Sequence, residues 1–82
     1  MIKFYPNPAS DFIWLDLENN NYSTLKISIY SMLGLLVKSI ETTPSAQQRI
    51  FIDTSMLGSG LYVFKIETNV NVSERKVIIF HK

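Results

Sequence analysis

The 82-residue chain contains no cysteine and a single histidine. Without cysteine the fold cannot rely on disulfide bonds, and there is no thiol that could act as a nucleophile. The histidine, His81, stands next to the carboxyl-terminal residue without a second metal ligand beside it, so we predict that it is a solvated tail residue. The sequence therefore predicts no metal, no cofactor and no catalytic residue.

An excess of charge of one sign is also missing, since 8 basic residues face 7 acidic ones. No Lys/Arg cluster could follow a phosphate backbone, which argues against a nucleic-acid partner.

Pro6 interrupts the amino terminus before an apolar stretch of signal-peptide length can form, so we expect neither a signal peptide nor a membrane span there. Asp11, Asp16 and Asp53 are interpreted as solvated or turn-capping carboxylates, because acid–base catalysis needs them in a desolvated cleft.

Apolar residues make up 46% of the chain and recur at every second position along much of it. This spacing is typical of strands that bury one face. It is found in residues 12–17, 25–30, 35–40, 49–52 and 60–67, and an apolar strand closes the chain. About seven short strands at regular spacing predict an all-β fold, an antiparallel β-sandwich. We treat residues 1–82 as a single domain.

Polar segments between these strands predict the turns. Residues 18–23, 41–47 and 68–74 are interpreted as loops. Gly34 is expected to supply the positive φ of a tight hairpin turn. After residue 52, Asp53 or Ser55 could cap a single helical turn, with Leu57 entering the core before residues 58–60 reverse the chain.

Two apolar segments leave alternatives open. Phe12 and Trp14 alternate with buried aliphatic residues, so they either form an exposed docking patch or are covered by a neighbouring loop, which we expect. The last strand, residues 77–80, is apolar on both faces. This composition suits either a buried strand or an edge strand that another chain completes by strand addition.

Motifs at opposite ends of the chain resemble one known family. They are residues 5–11 (YPNPASD), residues 57–62 (LGSGLY) and residues 76–80 (KVIIF), and residues 29–37 (IYSMLGLLV) resemble that family's central hairpin. In order and spacing they are similar to the C-terminal sorting domain of the type IX secretion system, most of all its type A form, which is found on secreted and cell-surface proteins of Gram-negative bacteria. The immunoglobulin-like sandwich of that family agrees with the strand pattern.

The resemblance implies two sets of functional residues. The outer-membrane translocation machinery is expected to recognise the closing segment of the chain and two residues at the start of the preceding long strand. These residues are Gly60, Tyr62, Lys76, Val77, Ile78, Ile79, Phe80, His81 and Lys82. The family signature, for which a structural role within the fold is the alternative to recognition, comprises Tyr5, Pro6, Asn7, Pro8, Asp11, Gly34 and Leu57.

The resemblance further implies a secretion signal without catalytic activity. A cargo protein would be covalently linked before the domain, carry its own signal peptide, and cross the outer membrane through translocon and shuttle components. A sortase-like protease would then remove the domain upstream of Tyr5, and the cargo would be released or anchored at the surface. Met1 would mark excision from that longer protein.

Other classes of function remain as alternatives. An immunoglobulin-like module that binds carbohydrate, or that spaces the domains of an extracellular enzyme, would share the fold. A sugar-binding module should present a flat row of aromatic side chains, to which Phe12 and Trp14, with Tyr22 or Tyr30, could contribute. A small enzyme is the weakest alternative, because the sequence holds no catalytic constellation.

Overall fold

The structure is a computed structural model, and it describes residues 2–18, 22–44 and 49–81. Every regular element in these ranges is a β-strand, which confirms the predicted all-β class. The strands are β1 (Lys3–Tyr5), β2 (Phe12–Asp16), β3 (Leu25–Ser31), β4 (Leu36–Thr42), β5 (Arg49–Asp53), β6 (Gly60–Thr68) and β7 (Val72–Ile79).

The strands form two antiparallel sheets. One sheet has the order β1-β2-β5 and the other the order β4-β3-β6-β7. Strands that are distant in sequence lie side by side in both, since β2 pairs with β5 and β3 with β6. The apolar faces of the two sheets pack on each other, as in the predicted immunoglobulin-like sandwich.

The core consists of the residues that the twofold alternation turns inward. It contains Ile13, Leu15 and Leu17, then Leu25, Ile27, Ile29, Ile50, Ile52, Tyr62, Phe64, Ile66, Val77 and Ile79, together with Ala9. Phe4 of β1 packs edge-on against Phe64, with ring centroids 5.3 Å apart. Each fully buried aliphatic or aromatic side chain contributes about 1.5–3 kcal/mol, so the alternation read from the sequence decides which face of each strand is buried.

The hairpin between β3 and β4 is confirmed. Gly34 has φ +84°, and its N–H donates to the Ser31 carbonyl oxygen over 2.9 Å. A Cβ at Gly34 would meet nothing within 4 Å. Glycine is therefore required there by the backbone angle and not by lack of space.

Other turns are shorter than predicted. β4 continues to Thr42, so the loop predicted from residue 41 starts later, and its residues 45–47 lie outside the described ranges. The loop predicted over residues 68–74 is a tight link between Thr68 and Val72, because the Thr68 hydroxyl accepts the N–H groups of Val70 and Asn71 at 3.2 and 3.0 Å. Of the loop predicted over residues 18–23, residues 19–21 are likewise outside the described ranges.

The segment after β5 forms a hydrogen-bonded turn and not the predicted helical turn. Asp53 is the capping residue, since its Oδ1 accepts the Ser55 N–H at 2.9 Å and the Ser55 hydroxyl at 2.6 Å. The Leu57 N–H donates to the Thr54 carbonyl oxygen over 3.0 Å. Leu57 is half-buried and packs against the core, as expected.

Candidate recognition site

The amino-terminal motif, residues 5–11, lies along the outer edge of β7. The Ala9 N–H donates to the Ile78 carbonyl oxygen and the Ala9 carbonyl oxygen accepts the Phe80 N–H, both over 2.8 Å. Ala9 is buried, and it forms a parallel bridge with Ile79. Pro6 and Pro8 each follow a cis peptide bond. Because proline has no N–H, the motif covers the edge of β7 without offering a new edge of its own at these positions.

Asn7 completes this contact with its side chain. Its Oδ1 accepts the Ile78 N–H over 3.1 Å, across 71 positions of sequence. With the Ala9 bonds, the outward N–H and carbonyl groups of Ile78 and the N–H of Phe80 are all paired within the chain. The predicted alternatives of a fully buried strand or an edge completed by another chain are therefore both wrong for residues 78–80, because the chain's own amino-terminal motif occupies that edge.

His81 is not the solvated tail residue that the sequence predicts. Its Nε2 lies 2.8 Å from the Leu57 carbonyl oxygen, and its Nδ1 lies 3.5 Å from Asp11 Oδ1. The His81 backbone N–H donates to Ser59 Oγ over 2.9 Å. These partners are remote in sequence, which is why composition around His81 gave no sign of them. The ring joins the amino-terminal motif to the turn that precedes β6.

Tyr62 stabilises the turn of residues 57–60 through a hydrogen bond. The Tyr62 hydroxyl donates to the Gly58 carbonyl oxygen over 2.7 Å, and the Tyr62 ring is buried. Gly60 begins β6 and pairs in register with Ile79 of the last strand. The structure therefore places Gly60 and Tyr62 beside the last strand, where they pair with Ile79 and Val77.

Thr54 is a member of the site that sequence reasoning missed. It is 0% exposed, its hydroxyl donates to the Ser10 carbonyl oxygen over 2.6 Å, and its N–H donates to the Asp11 carbonyl oxygen over 2.9 Å. A single threonine after a strand carries no pattern that could have revealed this role. Thr54 fixes the end of the amino-terminal motif to the end of β5.

The carboxyl-terminal residues divide into two groups by direction. Val77 and Ile79 are buried in the core, whereas Ile78 and Phe80 are 48% and 59% exposed. Lys76 is also exposed. Lys82 lies outside the described residues.

Among the signature residues, Gly34 lies in the β3–β4 hairpin. The hairpin is at the same end of its sheet as Tyr62, since Ser31 pairs with Tyr62.

We refer to the assembly of residues 7–11, 54, 57–60, 62 and 78–81 as the terminal clasp. Three of the sequence motifs meet in it although they are far apart along the chain. Its bonds join backbone to backbone at Ala9 and side chain to backbone at Asn7, Thr54, Tyr62 and His81. Such an arrangement holds the last strand in a defined position.

Aromatic side chains lie on the outer face of the β1-β2-β5 sheet. Within the described residues no loop covers Phe12, although such a loop was expected. Tyr5, Trp14 and Phe51 are neighbours in register across the three strands. Trp14 is half-buried because the Phe51 ring lies edge-on at 5.3 Å and the Arg49 guanidinium lies 5.1 Å above it. Phe12 stacks on Phe51 at 5.8 Å and stays 40% exposed. Phe51 and Arg49 were missed because an alternating strand gives no sign of its cross-strand neighbours.

Two charged groups have shifted pKa values. The hydrogen bonds from the Ser55 side chain and backbone lower the pKa of Asp53 below its ordinary value of 3.8, and Lys38 adds to this effect. The hydrogen bond from Arg49 to the Tyr5 hydroxyl raises the pKa of the Arg49 guanidinium. Both groups lie in solvent, so the shifts reflect local partners and not burial.

The described residues hold no grouping typical of a metal site and no membrane-spanning helix. No group of three or more His, Cys, Asp or Glu side chains that could hold a metal ion occurs among residues 2–18, 22–44 and 49–81. None of the elements in those ranges is a helix long and apolar enough to span a membrane. An open depression of about 620 Å³ lies at the other end of the four-stranded sheet, next to Lys26 and Glu41, away from the terminal clasp.

Residues 3–80 match the family described as the secretion system C-terminal sorting domain. The chain belongs to this family. Along 92% of its length it is also 35% identical to "Ulvan lyase NLR42" of Nonlabens ulvanivorans, of which it covers 14%. The chain therefore spans about a seventh of the length of that curated relative.

Membership in this family gives the domain its function: it is a sorting signal of the type IX secretion system, by which an attached protein is exported across the outer membrane. The predicted family and the predicted function are thereby confirmed. Three of the four motifs contribute residues to the terminal clasp of the sorting domain. The last strand, β7, lies at the edge of the four-stranded sheet.

Proposed function

We propose that the type IX translocon and its shuttle components read the sorting domain in its folded form, at the last strand and the terminal clasp. The observation that carries the proposal is the convergence of the amino-terminal motif, the Leu57–Gly60 turn and the last strand in one place. Ala9, Asn7 and His81 link them directly. A signal that is held by tertiary contacts is presented in one conformation, whatever cargo is attached.

The proposed roles follow from the position of each group. Ile78, Phe80 and Lys76 are exposed and contact the machinery, and Lys82 follows them in sequence. Val77, Ile79 and Tyr62 are buried and fix the strand to the core. Asn7 and Ala9 occupy the strand's outer edge, which protects it from uncontrolled pairing with other chains.

We further propose that the domain follows a cargo protein in the same chain. The cargo crosses the inner membrane by its own signal peptide, and the domain then directs it across the outer membrane. A sortase-like surface protease cleaves upstream of Tyr5, so that the cargo is released or anchored. β1, which ends at Tyr5, is an edge strand of its sheet. A protease would therefore reach a cleavage site before β1 without opening the sandwich.

Export of a reporter protein tests this function. A fluorescent protein with an inner-membrane signal peptide at its start and residues 1–82 at its end is expressed in a host with an intact type IX system and in a translocon-deficient host. We expect fluorescence outside the intact cells only, and loss of export when residues 76–82 are deleted. Retention of the folded fusion in the periplasm of both hosts would contradict the proposal.

Carbohydrate binding is a second candidate, and the aromatic row on the β1-β2-β5 sheet favours it. The residues differ from those predicted, because Tyr22 packs against the core and Tyr30 lies on the other sheet. Sugar rings stack best on coplanar aromatic rings, whereas the Trp14 and Phe51 planes are inclined by 71° and Arg49 covers Trp14. A glycan array with the isolated domain tests this candidate. Binding that Phe51→Ala and Trp14→Ala both remove would support it.

An enzymatic role has the least support. A sorting signal is not itself catalytic. Activity of the whole protein would then reside in its cargo.

A further inference from the structure

Exposed apolar side chains cover one end of the outer face of the four-stranded sheet. Leu36, Tyr30 and Val63 are neighbours in register across β4, β3 and β6. Leu61 stands two residues from Val63 on the same face of β6, and it pairs with Ile78. Phe80 follows Ile78 with the same orientation along the chain. We call these residues the terminal face, namely Tyr30, Leu36, Leu61, Val63, Ile78 and Phe80.

Three residues of the terminal face are exposed to solvent, and Tyr30, Leu61 and Val63 are half-buried. Leu36 is 56% exposed, Ile78 48% and Phe80 59%. The adjoining hairpin adds Leu33, which is 87% exposed. An open groove of about 400 Å³ lies beside the hairpin, between Tyr30, Met32 and Val63. Contiguous apolar surface of this kind on a soluble domain is typical of a protein contact.

Parts of the other described surfaces already have partners within the chain. The β7 edge at residues 78–80 is occupied by Asn7 and Ala9. On the β1-β2-β5 sheet, Arg49 covers Trp14, so that ring already has its partner. At the free edge of β4, the register shifts at Ile29/Tyr30, and Lys38 reaches across to the Asp53 carbonyl oxygen at 2.8 Å. A bulge and an edge lysine both discourage strand pairing.

Lys76 and Glu74 of the last strand are the exposed charges beside the terminal face, and Glu74 lines the groove together with Lys65. Lys76 pairs in register with Val63 and is exposed. Within the described ranges Lys76 forms no ion pair, whereas Lys65 is paired with Glu67 at 3.9 Å. A complementary partner would present an apolar surface with an acidic group opposite Lys76.

We propose that the terminal face is the surface by which the type IX machinery binds the sorting domain, through side chains and not through strand addition at the β7 edge. The inference rests on the proposed function and names its contact surface. The partner is a protein component of that machinery. Its binding surface is apolar and carries an acidic group opposite Lys76. The β3–β4 hairpin, which the terminal residues alone would not suggest, is part of the contact. The clasp then acts as a support that holds Ile78 and Phe80 outward.

Export of the reporter fusion tests the surface with a matched control on the same strand. The variant Ile78→Asp/Phe80→Asp adds charge to the terminal face, and Leu36→Asp does so on the remote strand β4. Val72→Asp is the control. It places one carboxylate, as Leu36→Asp does, on the same side of β7 as Ile78 but at the other end of the strand, where Val72 is 58% exposed. We expect export to fall about tenfold or more for the first two, and to stay within about twofold for the control.

Photocrosslinking supplies a measurement that does not depend on a disruptive substitution. A photoreactive phenylalanine analogue at position 80 or 36 should crosslink the exported fusion to a type IX outer-membrane component in intact cells. The same analogue at position 72 should not. Circular dichroism and urea unfolding of each purified domain confirm that the fold is retained.

The outcomes separate the inference from the function on which it rests. Normal export of the folded Ile78→Asp/Phe80→Asp and Leu36→Asp variants would overturn the terminal face while leaving the sorting function intact. Export that fails when Asn7→Ala is introduced, but not when the terminal face is charged, would assign recognition to the edge. Absence of export of the unaltered fusion would overturn both proposals.

Discussion

Among single residues, Thr54 is the buried polar group on which the clasp depends most. Its hydroxyl donates to the Ser10 carbonyl oxygen over 2.6 Å at a fully buried position. Thr54→Val preserves the shape of the side chain but leaves that carbonyl oxygen without this donor. We expect the free energy of unfolding to fall by about 1–3 kcal/mol, as measured by urea denaturation.

Thr43→Val is the control for this change, because Thr43 is exposed. A surface substitution of this kind should alter the free energy of unfolding by no more than about 0.5 kcal/mol. Equal effects of the two substitutions would show that the Thr54 hydroxyl does not stabilise the clasp.

Asp53 gives the domain a defined response to acid. Hydrogen bonds from Ser55 lower its pKa below 3.8 in the folded state, so the folded protein holds this carboxylate ionised more strongly than the unfolded chain does. The stabilisation is fully present above the unfolded pKa and is lost as the pH falls through the folded pKa. The difference in urea midpoint between the native domain and Asp53→Asn should be constant near neutral pH and shrink below pH 3.8.

Ser55→Ala is the companion variant, because it removes the hydroxyl that donates to Asp53 at 2.6 Å. The acid-dependent part of the difference should then become smaller. A difference that stays constant down to the lowest pH at which the domain folds would contradict the assignment to Asp53.

Among the elements, β7 shows most clearly how a strand edge is closed by residues from the other end of the chain. Asn7→Ala removes the acceptor of the Ile78 N–H and should lower the free energy of unfolding by about 0.5–1.5 kcal/mol. Exchange of the Ile78 amide hydrogen, followed by NMR, should become faster because that N–H no longer has a partner. Asn7→Asp keeps an oxygen acceptor and should retain most of the protection. Unchanged exchange in Asn7→Ala would be the opposing result.

The strands themselves were predictable, whereas their neighbours were not. Alternation placed Ile13, Leu15 and Phe64 in the core correctly, since one buried face imposes a period of two. The same alternation left residues 77–80 ambiguous, because Ile78 and Phe80 are apolar and yet point outward. The edge partner of β7 comes from residues 7–9, and no local pattern predicts a pairing across that separation.

In the whole molecule, the amino-terminal segment contributes to both the core and the clasp. Phe4 packs on Phe64, and Ala9 is 1% exposed. A domain of this size buries only about 60% of the surface that its unfolded chain exposes, so its margin of stability is small. Deletion of residues 1–9 should therefore cost about 3 kcal/mol or more, or abolish cooperative unfolding in urea.

A Gly/Ser segment of equal length in place of residues 1–9 is the control for this deletion. It restores chain length but none of the contacts, so its loss of stability should match that of the deletion. Size-exclusion chromatography should also show self-association, because the β7 edge becomes free to pair. A monomeric and fully stable deletion variant would rule out the clasp as a structural element.

The sequence alone determined the all-β class, the inward face of each strand, the hairpin at Gly34 and the family, because periodicity and short motifs are local properties of the chain. Only the tertiary structure decided that the terminal motifs form one clasp, that His81 is held by Leu57, Ser59 and Asp11, and that Phe51 and Arg49 surround Trp14. These contacts join residues that are distant along the chain, and their geometry follows from how two sheets pack and not from any local preference.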